Sequence, residues 1–98
     1  MNTFEVTCVT KPNRYSQHEH IIHIGGPAGG GWIRTREEVI SLIDTKTASF
    51  YVKDYITGKI AYIGVVRQLG KLPYLRTHAD GDWNDNLLSL NECAYRVA

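Results

Sequence analysis

The chain has 98 residues, 43% of them apolar and 21% charged, with a formal net charge of +1. That length and balance fit one globular domain spanning residues 1–98. The near-neutral charge gives no strong electrostatic footprint for nucleic acid or an anionic membrane. Two cysteines, Cys8 and Cys93, are too few for a disulfide scaffold, and two free thiols in a reduced, cytoplasmic protein are expected. The opening Met-Asn-Thr-Phe-Glu has no basic stretch followed by an apolar run, so no signal peptide is expected. No apolar stretch approaches the ~18 residues of a membrane span.

Phe4, Val6 and Cys8 alternate with Glu5 and Thr7, the pattern of a half-buried strand. Lys11-Pro12-Asn13-Arg14 breaks it. His20 to Ile24 reads as a second strand. Its apolar residues on both faces predict an inner position in the sheet. Gly25-Gly26-Pro27-Ala28-Gly29-Gly30-Gly31 reads as a loop. Thr35 then makes a good helix N-cap, with Glu38 three residues on to complete a capping box. Val39, Ile40, Leu42 and Ile43 form an apolar stripe, and the helix is expected to stop near Asp44–Thr45.

Ser49 to Lys53 is the third predicted strand. Tyr55-Ile56-Thr57-Gly58 is a hairpin loop with Gly58 in the left-handed position. Ile60 to Arg67 is apolar on both faces and is expected at the centre of the sheet. Leu69 to Pro73 turns the chain into a fifth strand, Tyr74–Thr77, with Pro73 at its start. The order is ββαβββ, and the fold class is α+β: one helix on a mostly antiparallel sheet.

Four constellations carry possible chemistry. His18 and His20 stand two apart and could share a strand face to hold zinc, if Cys8, His78 or Cys93 supplied further ligands. The spacing matches no closed zinc motif, and exposed polar residues at a strand start explain it as well. The glycine loop, with Gly25, Gly26 and Gly30, could cradle an anion beside Arg34 and Arg36. It lacks the Walker and dinucleotide patterns, and a plain connection is the simpler reading. Asp80, Asp82 and Asn84 begin a calcium-like spacing. Asp85 stands where that loop needs Gly, and Asn91 where it needs Glu, so Asx-turn chemistry explains the segment better. Trp83 and Leu87-Leu88-x-Leu90 read as core, with an aromatic anchor in an interface as the alternative.

Tyr51 and Lys53 share one strand face, and Tyr74 and Arg76 another. If these faces adjoin, they make an aromatic–basic surface, although cross-strand pairing on a solvated face accounts for them too. No nucleophile–base–acid set can be assembled and no G-x-S-x-G motif is present, so no catalysis is expected.

The blocks HEHIIHIGG (His18–Gly26), Gly31–Ile40, Phe50–Val52 and YLRTHADGDWNDNLLSLNEC (Tyr74–Cys93) resemble the small bacterial domain of unknown function thirty-eight ninety-two. The resemblance spans nearly the whole chain. It departs in the glycine insert Gly29–Gly31, where relatives are shorter, and at Asn91, where Pro is usual. It implies a small cytosolic bacterial domain and supplies no activity, cofactor or catalytic residue.

The expectation is therefore a binding or accessory protein without a cofactor, docking on another macromolecule, with a protein as partner. The expected surface comprises Arg34, Arg36, Tyr74, Arg76, Asp80, Trp83, Asp85 and Asn86 beside the glycine loop. Nucleic-acid binding through the same Tyr and Arg positions is the alternative, and metal binding through His18 and His20 a further one. No membrane partner is expected, and the protein is expected to be a monomer or a homodimer through an open sheet edge.

Overall fold

The alternation Phe4-Val6-Cys8, read as one strand, serves two. Val6 N–H donates to Tyr51 O at 2.8 Å, while Thr7 N–H donates to Gly25 O at 2.9 Å. Within two residues the chain passes from one sheet to another. A period of two is the same on either side of such a crossing, so the sequence carries no mark of it.

In the computed structural model, residues 2–11, 21–79 and 81–93 are described. Their elements in order are β1 (Asn2–Glu5), β2 (Cys8–Thr10), β3 (His23–Gly26), a short 3-10 turn (Ala28–Gly30), β4 (Trp32–Thr35), α1 (Arg36–Asp44), β5 (Ala48–Lys53), β6 (Ile60–Val66), β7 (Tyr74–Ala79), β8 (Asp82–Asn84) and β9 (Asn91–Glu92). A five-stranded sheet runs β1-β5-β6-β7-β8, and a four-stranded sheet runs β4-β3-β2-β9. Among the described residues only β1 with β5 and β2 with β9 pair in parallel. The class is α+β as expected, but the order ββαβββ is too short. The missed strands β4, β8 and β9 are brief and lie in segments rich in turn residues.

The predicted centre of the sheet holds. β6 lies third of five, and β3 is an inner strand of its own sheet. The capping box is complete: Glu38 N–H donates to Thr35 Oγ1 at 3.1 Å, and Thr35 N–H donates to Glu38 Oε1 at 3.2 Å. The helix ends as expected after Asp44. Lys46 adopts a left-handed φ of 58°. Its N–H donates to Ile43 O at 3.1 Å and that of Thr47 to Leu42 O at 3.0 Å, a Schellman closure without the usual glycine.

A core cluster fills the space between the sheets and α1. Phe50, Ile63 and Leu75 from the larger sheet meet Val9 and Ile24 from the smaller one, with Val39 from α1 and Leu87 from the segment after β8. Each fully buried side chain of this size contributes about 1.5–3 kcal/mol.

Cys8 and Cys93 form a disulfide with Cα atoms 4.7 Å apart, across a sequence separation of 85. This corrects the expectation of two free thiols. The cause is a long-range pairing: β9 lies parallel to β2, and Cys93 N–H donates to Val9 O at 3.0 Å, which sets Cys93 beside Cys8. Among the described residues, no helix is long and apolar enough to cross a membrane.

Candidate functional site

The β5–β6 hairpin fixes the register Lys53↔Ile60 and Tyr51↔Tyr62, and Gly58 closes its loop with a φ of 76°. The next two pairings continue the same line, Tyr62↔His78 and His78↔Trp83. Four rings thus stand side by side across β5, β6, β7 and β8. They occupy the sheet face opposite Phe50, Ile63 and Thr77, which are buried. Tyr51 and Tyr62 meet edge to face at 6.3 Å, and so do His78 and Trp83 at 5.4 Å. Trp83 also lies over Gly64, where an added Cβ would come within 3.1 Å of the indole. Tyr62 and Trp83 remain 48% and 45% exposed, and Ile60 beside them 44%. The exposure of Trp83 corrects its reading as core and agrees with its place in the expected surface, while the row it joins was missed from sequence. The signal was the hairpin: counting outward from its loop pairs Tyr51 with Tyr62.

Apolar residues on both faces of β6 therefore do not mean cover on both sides. Tyr55 extends the row's surroundings, with Lys53 Nζ 5.4 Å from its ring centre. The Tyr55 hydroxyl donates to the Glu5 carboxylate, and this bond raises its pKa above the ordinary tyrosine value.

The expected aromatic–basic surface is not assembled. Tyr74 is buried at 6% exposure, and β6 separates its strand from β5. Arg76 is engaged in a polar knot: Nε donates to Asn84 O at 3.2 Å, and an Nη to Asp85 Oδ1 at 3.0 Å. The buried Thr77 hydroxyl donates to Asn84 Oδ1 and accepts Leu87 N–H at 3.2 Å. Asn86 N–H donates to Asn84 Oδ1 at 3.0 Å. The Asx-turn reading of this segment is observed at Asn84, whose Oδ1 takes Asn86 N–H, while Asp85 pairs with Arg76 and Leu87 N–H reaches Thr77, so that Leu87 enters the core. Asp80 lies outside the described residues.

Gly25 and Gly26 belong to β3, a correction to the loop assigned from sequence. A Cβ on Gly25 would stand 2.9 Å from Cys8 Sγ, and one on Gly26 only 2.1 Å from Glu5 O. Both glycines serve close packing where the two sheets meet. Gly30 lies in the 3-10 turn with a φ of 89°. Arg34 pairs with Glu38 at 3.2 Å and Arg36 with Glu37 at 3.1 Å, so each arginine meets a carboxylate of α1. The hydrogen bonds from Thr35, together with Arg34, hold the Glu38 carboxyl below the usual carboxylate range. Asp54 is lowered likewise, by the backbone N–H groups of Ile56 and Thr57.

A second aromatic group closes the seam between the sheets. Phe4, Trp32 and Phe50 contact one another with ring centres 5.7 to 5.9 Å apart. They border a cleft of about 410 Å³. The Trp32 Nε1 is buried and has no hydrogen-bond acceptor among the described residues.

His18 and His20 lie outside the described residues. Among the described residues, no group of three or more His, Cys, Asp or Glu could hold a metal ion. The further zinc ligands considered from sequence are otherwise placed: Cys8 and Cys93 in the disulfide, His78 against Trp83.

The family model described as protein of unknown function (DUF3892) matches residues 5–91. The chain belongs to this family. The matched span runs from the end of β1 into β9, so it takes in the aromatic row, the polar knot and, of the seam, Trp32 and Phe50. Comparison with curated proteins and with solved structures finds no match.

Proposed function

We propose that this protein is a binding or accessory protein that docks on a protein partner through the outer face of its five-stranded sheet. The observation that carries this reading is the row Tyr51, Tyr62, His78 and Trp83, half-exposed at its centre and bordered by Ile60. Aromatic side chains are rigid and amphipathic, and they dominate protein interfaces. The row replaces the surface expected around Tyr74 and Arg76, whose side chains serve the fold.

Nucleic-acid binding is the second reading, favoured by Lys53 and Lys59, which stand next to Ile60 beside the row. The rings meet edge to face rather than lying in one plane, which suits a side-chain interface better than a run of stacked bases. The test is a photocrosslinking residue placed at Tyr62 in the cells that make the protein, with the same residue at the exposed helix position Ser41 as control. A discrete protein adduct at Tyr62, absent at Ser41 and unchanged by moderate salt, is the expected result. An adduct of twice the chain's mass identifies a second copy as the partner. A nucleic-acid adduct whose yield falls steeply with salt supports the second reading. Equal yields at both positions, or none, overturn the docking face.

A further inference from the structure

The seam between the sheets holds a cleft that the docking face does not use. On one side is β1, last in the order of the five-stranded sheet; on the other is β4, last in that of the four-stranded sheet. Phe4 and Trp32 bridge these two edges at 5.9 Å, with Phe50 behind both. The space is about 410 Å³, within the range of small-molecule sites. Its lining is mostly apolar, with Asn2 and Thr47 as polar groups and Arg34 as the one ionisable residue among the described residues.

We propose that this cleft binds a flat aromatic small molecule carrying a single anionic group, the rings against Phe4, Trp32 and Phe50 and the anion on Arg34. Arg34 is the cation of the lining and stands at one place, so once its pair with Glu38 opens it sets the ligand's sign and orientation. Arg34 is free to exchange its present partner at little cost, because its pair with Glu38 is half-exposed on both sides. Glu38 keeps its place without Arg34, since its Oε1 accepts from both the N–H and the hydroxyl of Thr35. A charge-assisted bond from the guanidinium is the strong, directional contact of the site, and the three rings supply apolar area.

The test uses naphthalene-1-acetate and its neutral counterpart naphthalene-1-acetamide, titrated into isotope-labelled protein and followed by two-dimensional NMR. The acid is expected to bind saturably at one site, shifting the Trp32 indole N–H and the amides of Ala28 and Gly29. The amide is expected to bind at least tenfold more weakly. Arg34→Leu should bring the acid down to the amide's affinity. Ala28→Trp, at an exposed turn position on the rim, should abolish both. Tyr62→Ala should change neither, which separates this site from the docking face. Equal affinity for acid and amide, undiminished binding in Arg34→Leu, shifts centred on Tyr62 and Trp83, or no saturable binding would each overturn the proposal. Should Ala28→Trp fail to give a folded spectrum, Arg34→Leu, which alters only an exposed pair, decides.

Discussion

The two sheets are held by different means. The five-stranded sheet has long central strands, β5, β6 and β7 of six, seven and six residues, paired in continuous antiparallel register. The four-stranded sheet has none longer than four, and its last strand, β9, has two. Two residues cannot hold an edge by backbone pairing alone. There the chain uses a covalent bond, Cys8–Cys93, and lets glycines bring backbones and sulfurs close. Where pairing is extensive the outer face is left to aromatic side chains; where it is scant a cross-link closes the sheet.

That contrast is broken most directly by removing the cross-link. A loop this long makes the disulfide worth about 4.5 kcal/mol through the unfolded chain's entropy. The double variant Cys8→Ala/Cys93→Ala should lose about that much in urea unfolding, and reductant should reproduce the loss in the parent. Amide exchange should rise first in β2 and β9 and least in β6. An unchanged urea midpoint would mean that pairing alone holds the smaller sheet.

The next effect belongs to the larger sheet. Thr77→Val keeps the shape but leaves Leu87 N–H and Asn84 Oδ1 without the hydroxyl that joins them. A buried group left unpaired costs about 1–3 kcal/mol, so the urea midpoint should fall with little change in slope. A loss well under 1 kcal/mol would show that the knot around β8 is not what seats Leu87.

The smallest effect lies in α1, which joins the two sheets. Glu38 has a depressed folded pKa, so its charge stabilises the fold fully above the ordinary glutamate pKa. The contribution is lost as pH falls through the lower folded value. Glu38→Gln, which retains capping geometry, should melt slightly below the parent at neutral pH and coincide with it in strong acid. A gap that persists across thermal melts at acid pH would assign the difference to shape rather than charge.

The same contrast explains what the sequence disclosed. The capping box at Thr35 and Glu38, the hairpin at Gly58 and the central position of Ile60–Val66 depend on neighbours a few residues away, and local pattern sufficed. The smaller sheet depends on pairings of distant segments, such as Val9 with Glu92, which no local period encodes. The disulfide follows from that pairing and was equally hidden. Of the expected surface, Trp83 remains in the candidate site, because exposure is decided by what covers a face. Tyr74 and Arg76 looked like surface residues, and only the fold shows one buried and the other tied to Asn84 and Asp85.

The clasp between residues 8 and 93 also determines how the protein carries a mechanical load. Tension applied to the chain outside these two positions passes through the sulfur–sulfur bond. Strands β2 to β9, the helix and the row Tyr51, Tyr62, His78 and Trp83 lie between them and bear none of it, whereas β1, with Phe4, lies outside the clasp and takes the load. The segment between the two cysteines could not lengthen until a reductant opened the bond. Extensibility would therefore be set by the redox state of its surroundings.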